Sequence, residues 1–113
     1  MHEMSLCEGI LQILEDEART RGFQRVRTVV LDVGALAAVE VDALRFCFEV
    51  VCREGVARGA QLRVELSPGR AWCAHCGDTV AIAQRFDACP VCGAFALELR
   101  SGDALRIKDI EVE

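Results

Sequence analysis

Cys73-Ala74-His75-Cys76-Gly77 and Cys89-Pro90-Val91-Cys92-Gly93 repeat one short pattern: two cysteines three positions apart, then glycine. A C-x-x-C turn aims two thiolates at one point. The glycine behind it lets the backbone curl around the sulfurs with φ > 0. Two such knuckles supply four sulfurs in a tetrahedron, which suits Zn²⁺ at about 2.3 Å per Zn–S bond. The spacer Gly77–Ala88 is 12 residues, shorter than the common spacing of roughly 15–20 but enough for a hairpin. Val80 and Ile82 alternate within it as a strand. Tetrahedral S₄ also accommodates iron. A redox C-x-x-C normally stands alone at a helix start after a strand, whereas this one is doubled. A closed Cys₄ site has no open position for substrate, so its expected role is to hold the segment together. His75 lies inside the first knuckle, and the default reading for it is an exposed loop residue.

Residues 70–97 carry few large aliphatic side chains. A segment this short cannot bury its own core, and chains below about 40 residues generally need metal or disulfides. We therefore read it as a zinc-ribbon module inserted into a discontinuous domain formed by 1–69 and 98–113. In that domain Ser5 to Arg21 has a helical pattern, with Leu6, Ile10, Ile13, Leu14 and Ala18 on one stripe. Ser5 and Glu8 match a capping box, Gly22 supplies the stop, and residues 1–4 form a tail. Val26 to Val33 is β-branched and reads as a buried strand. Gly34 to Ala38 connects it to a second helix over Asp42–Arg53, with Ala43, Leu44, Phe46, Cys47, Phe48, Val50 and Val51 wrapping most of its circumference, and so expected against a sheet. Gln61 to Leu66 alternates as a half-buried strand. Ala104 to Val112 is a last strand whose parity changes between the pair Leu105 and Ile107 and the pair Ile110 and Val112, so a bulge near Lys108-Asp109 is expected to return Ile110 and Val112 to the core side. The expected fold is α+β: two helices packed on a small mixed three-stranded sheet, with an inserted Cys₄ zinc ribbon.

Composition narrows function. The chain has 113 residues, 52% of them hydrophobic, and 13 Lys+Arg against 18 Asp+Glu for a net charge of −5. That is a globular composition. The acidic balance argues against sequence-independent nucleic-acid binding, and the ribbon has no basic patch. No stretch approaches the ~20 apolar residues needed to cross a bilayer, and no basic region precedes an apolar run at the start. A cytoplasmic location and no membrane partner follow as expectations. Seven cysteines, an odd number, argue against a disulfide framework. No Gly-rich phosphate loop, Ser/His/Asp set or open three-ligand metal site is visible, so the chain does not read as an enzyme. Cys7 and Cys47 read as packing residues, although Cys7 stands one helical turn from the tail and could reach a metal there. Cys52 has no evident role.

His2 admits two readings. A lone histidine in a tail is commonly just solvated. Alternatively, the α-amine of Met1, the backbone nitrogens of His2 and Glu3, and the His2 imidazole can close adjacent chelate rings. Four nitrogens in a plane suit Ni(II) or Cu(II).

Taken together these residues resemble the HypA/HybF family of nickel-insertion accessory proteins for [NiFe]-hydrogenase. The resemblance rests on the opening Met1-His2-Glu3-Met4-Ser5-Leu6, on Val30-Leu31-Asp32-Val33-Gly34, on Val41 to Glu49, on both C-x-x-C-G pairs, and on Ser101 to Glu113. It implies a nickel metallochaperone that binds Ni(II) at its N-terminus with His2 as the essential side chain. It also implies a structural zinc on Cys73, Cys76, Cys89 and Cys92. Partners implied are a GTPase of the HypB family, the hydrogenase large subunit and, in some bacteria, urease maturation proteins, with the chain a monomer or homodimer. One departure is Ala35, where family members commonly carry Glu. The competing reading is a zinc-ribbon adaptor that binds protein or nucleic acid and ignores nickel.

Overall fold

The computed structural model describes residues 2–113. In chain order the elements are α1 (His2–Arg21), β1 (Val26–Gly34), α2 (Val41–Val51), β2 (Gln61–Ser67), β3 (Gly69–Cys73), β4 (Asp78–Ile82), β5 (Glu98–Ser101) and β6 (Leu105–Val112). The fold is α+β, with the two helices, a small mixed three-stranded sheet, and a second, antiparallel sheet beside a four-cysteine cluster. Two compact units emerge, one of Met1–Leu31, Val39–Val64 and Ile107–Glu113, the other of Asp32–Ala38 and Glu65–Arg106.

In the first unit, α1 buries Cys7, Ile10 and Leu14, spaced three and four apart as a helix facing a core requires. The stripe expected from the sequence is rotated by one position. Cys7 takes a place in it, and Ile13 is half exposed at 51%. The Cys7 thiol donates to the Leu44 carbonyl at 3.4 Å, which ties α1 to α2. Leu44, Cys47 and Phe48 form the buried face of α2. Phe46, expected to share in wrapping that helix in apolar contact, is 64% exposed. Glu40 caps α2, its carboxylate accepting the Asp42 N–H at 3.2 Å.

The first sheet runs β2-β1-β6. As the central strand, β1 is covered on both faces, so Val29, Val30 and Leu31 are buried in succession rather than alternately. On β6, Leu105, Ile107 and Ile110 are half-buried while Lys108 and Asp109 are both exposed. That pattern follows the parity change read from the sequence. Val112, expected to return to the core side, is 40% exposed.

In the second unit the sheet runs β4-β3-β5. The hairpin reaches around the first knuckle, with β3 pairing β4 through Ala71↔Val80 and Trp72↔Thr79. Strand β5 pairs with the other edge of β3, and its register shifts between Ala71↔Leu99 and Arg70↔Ser101, leaving Arg100 as the extra residue of a β-bulge. Strands β3 and β5 were not separately read from the sequence. The Gly34 connection threads closely here. Its N–H donates to Ala104 O at 2.9 Å, and Leu36 N–H donates to Gly102 O at 2.8 Å. A Cβ on Gly34 would collide with the Gly102 carbonyl, and Gly102 itself has φ +89° against the Pro68 backbone. Both positions demand glycine for space, and Gly102 for its dihedral as well.

Candidate metal centres

The two knuckles are built alike. Gly77 N–H donates to Cys73 O and Gly93 N–H to Cys89 O, each at 2.8 Å, with φ +66° and +80° at the two glycines. Backbone N–H groups also point at the sulfurs: Cys76 N–H toward Cys73 Sγ at 3.5 Å and Val91 N–H toward Cys89 Sγ at 3.4 Å. The apolar support is thin, with Val80 the one buried aliphatic in a cluster otherwise centred on Cys73 and Cys89. Four sulfurs therefore occupy the place of a hydrophobic core.

The sulfur spacing is a test of fit. All four Sγ atoms lie within 4.8 Å of one another, and the Cys73–Cys92 and Cys76–Cys89 pairs stand at 3.6 and 3.9 Å. A regular tetrahedron with bonds of about 2.3 Å has edges of about 3.8 Å, so the set fits one four-coordinate ion. The short contacts cross from one knuckle to the other and far exceed a disulfide bond of about 2.05 Å. Protonation is uneven. The Cys92 N–H donating to Cys89, with Val91 N–H in support, lowers the Cys89 thiol to about 7. Hydrogen bonding to the Cys92 thiol, and then burial, push Cys76 up to about 12. A bound dication would displace the protons that such thiols retain. His75 is exposed and outside the four-sulfur group.

At the other end of the chain, the amine of Met1 lies outside the described residues. The helix begins at His2, where the sequence suggested a tail of residues 1–4 and a cap at Ser5. Ser5 is not the cap: its hydroxyl donates to the His2 carbonyl at 3.0 Å, one turn inside the helix. The reason is a contact that the sequence alone does not display. The Glu3 carboxylate accepts the Glu40 N–H at 3.3 Å and lies 3.6 Å from His2 Nδ1. The Glu40 N–H in particular holds that carboxyl below its usual range. Tertiary contact at the start of α2 thus extends α1 by a turn. The first N–H groups of any α-helix lack intrahelical acceptors, so the His2 and Glu3 nitrogens are not committed to the helix ladder. Planar chelation through successive backbone nitrogens needs ψ near zero, a rotation of about 40° from the helical value. His2 is exposed. Glu40 was not singled out from the sequence, and a lone Glu ahead of Val41-Asp42 gives no signal of a link to residue 3.

Three comparisons bear on identity. A family model described as hydrogenase/urease nickel incorporation, metallochaperone, hypA matches residues 1–112. A hydrogenase maturation factor HypA of Alkalilimnicola ehrlichii is 61% identical across the whole of both chains. The one of Azotobacter vinelandii is 54% identical, also over the full length of each. Among solved structures, the Ni metallochaperone HypA from Helicobacter pylori superposes with a TM-score of 0.73 at 19% identity, covering 97% of this chain and 96% of that one. A second HypA solution structure gives 0.75 at 21% identity, with 100% and 97% covered. These two neighbours bear on the fold. The full-length family match and the close relatives carry the assignment: the chain belongs to the HypA family of nickel metallochaperones for hydrogenase maturation.

Proposed function

We propose that this chain binds Ni(II) at its N-terminus and helps insert it into the [NiFe]-hydrogenase large subunit. The ligands are the Met1 amine, the backbone nitrogens of His2 and Glu3, and the His2 imidazole. Family membership supplies the cargo. The observation that carries the site is the exposed His2 at the first turn of α1, beside backbone nitrogens that owe nothing to the helix. Cys73, Cys76, Cys89 and Cys92 hold a structural zinc, supported by sulfur spacing that fits a tetrahedron. Residues 70–97 are the module whose folding depends on that ion. The chain acts by transfer, without catalysis, in the cytoplasm. It is a monomer or homodimer and works with a GTPase of the HypB family and, where present, urease maturation proteins.

The test is nickel titration of untagged protein followed by calorimetry and absorption. One Ni(II) per chain with a planar, nitrogen-rich spectrum is expected. Affinity should fall as pH drops, because amine and imidazole must lose protons to coordinate. His2→Ala should abolish binding with zinc content unchanged, and extension upstream of Met1 should weaken it by turning the amine into an amide. If His2→Ala binds like the parent while His75→Ala does not, nickel sits on the ribbon and the N-terminal chelate is wrong.

A further inference from the structure

Three arginines meet in the second unit, none of them part of the four-cysteine group. Arg70 on β3, Arg100 on β5 and Arg106 on β6 line a cleft of about 360 Å³ that Asp32 and Asp103 also border. The strand register explains how two of them converge. Arg70 and Ser101 are directly opposed across β3 and β5, so their side chains share a face. Arg100 stands two residues after Glu98, the partner of Trp72, and so shares that face, where its guanidinium lies 5.7 Å above the Trp72 ring. Trp72 follows Arg70 by two on the same strand and so lies on the same side.

Each guanidinium carries five N–H donors in a rigid fork. The contacts seen here use only part of that capacity. Arg106 Nε meets Asp32 Oδ2 at 3.3 Å, with Asp32 mostly covered and Arg106 75% exposed. Arg100 Nη1 meets Glu98 at 3.3 Å. These carboxylates and the Trp72 ring orient the forks without filling them. Arg70 has no ion-pair partner among the described residues. Asp32, Asp103 and Glu98 balance the three cations, so what the cleft offers an entering anion is unused N–H donors, and arginine forks match oxyanions bidentately.

We propose that this cleft is a binding site for a dianionic oxyanion, a phosphate or a pair of carboxylates, gripped by Arg70, Arg100 and Arg106. Trp72 is the chain's one tryptophan, so the stack makes it a built-in reporter. The site is independent of nickel binding, and its test uses no nickel.

The experiment follows Trp72 emission of the zinc-loaded chain during titration with inorganic phosphate and, separately, disodium succinate, at constant ionic strength set with sodium chloride. Zinc content is measured in the same samples. A saturable change with at least one dianion is expected. Arg70→Gln and Arg106→Gln should each weaken it by about tenfold, the loss of one charge-assisted hydrogen bond. Arg85→Gln, outside the cleft, should leave it unchanged. Response to phosphate alone places the ligand among phosphates, and response to succinate alone among carboxylates. Both support the site. No saturable response to either dianion, or equal binding by the Arg70 and Arg106 variants with parental emission spectra, overturns it.

Discussion

The seven cysteines should divide sharply in reactivity, and the division can be worked from the structure. Cys7 and Cys47 are 0% exposed and Cys52 is 4% exposed. Burial, with the neighbouring Cys47 adding to it, pushes the Cys7 thiol from 9.0 to about 12. Burial, and then Glu15, pushes Cys52 to about 11. Alkylation consumes the thiolate. At pH 8 an ordinary thiol of pKa near 9 is about one-tenth ionised, whereas one at about 12 is ionised to roughly one part in 10⁴. Cys7 should therefore react about 10³-fold more slowly, and Cys52 about 10²-fold, before lack of access slows them further. The assay is pulsed iodoacetamide labelling at pH 8 with peptide mapping, on zinc-loaded and on chelated protein. Loaded protein should show slow labelling at all seven positions. Chelation should unfold residues 70–97, removing the contacts that raise Cys76, and so release Cys73, Cys76, Cys89 and Cys92 to fast labelling while Cys7, Cys47 and Cys52 stay behind. Equal rates for Cys7 and the ribbon cysteines in chelated protein that keeps its helical circular dichroism would refute the reasoning. So would fast labelling of the ribbon before chelation.

Three further outcomes are expected. Stability should fall in alkali: a thiol pKa raised in the folded state contributes fully below the unfolded value near 9 and is lost as pH climbs toward the folded one. At pH 10 the loss is about 1.4 kcal/mol for each of Cys7 and Cys52, readable as a lower urea midpoint that Cys7→Ser and Cys52→Ser should flatten. Leu14→Ala, at a site with 0% exposure, should cost about 2–5 kcal/mol by the same measurement, against a small change for Ile13→Ala. Gly102→Ala should lower the melting temperature through both its left-handed φ and the Pro68 backbone it would strike, whereas Gly9→Ala, with open space around it, should not.

Much of this was legible in the sequence because it is carried by short patterns. The knuckles announce themselves through spacing and glycine, and the alternation of Leu62 and Val64 suffices to place β2, although Leu66, read on the same face, is 70% exposed where the parity slips at Glu65. The stripe of α1 was placed one position off because Cys7, although read as a packing residue, was left out of it in favour of Leu6 and Ile13. Phe46 was counted as apolar contact, yet the face it occupies is bare. The start of α1 was not legible. Ser5 and Glu8 look the same at a cap as one turn inside a helix, and the deciding contact joins residues 3 and 40. Strand β3 is five residues with Trp72 and Cys73 at its end, and β5 is four, too short for periodicity to speak. The four-sulfur cluster of Cys73, Cys76, Cys89 and Cys92 was legible in its residues, while the arginine cleft depends on strand pairing that no local pattern reveals.

The beginning of α1 at His2 bears on which ion the N-terminus prefers. The amino end of a helix carries a partial positive charge of about half an elementary unit. A divalent ion held there by neutral donors stands against that field. Nickel bound through two deprotonated backbone nitrogens forms a chelate with no net charge, so the field exacts nothing from it. Ions such as Zn²⁺ and Mg²⁺, poorly suited to displacing amide protons, would keep their full charge at the same place. For the proposed N-terminal chelate, the helix terminus would thereby act as an electrostatic filter, rejecting cations by the charge they retain rather than by their size.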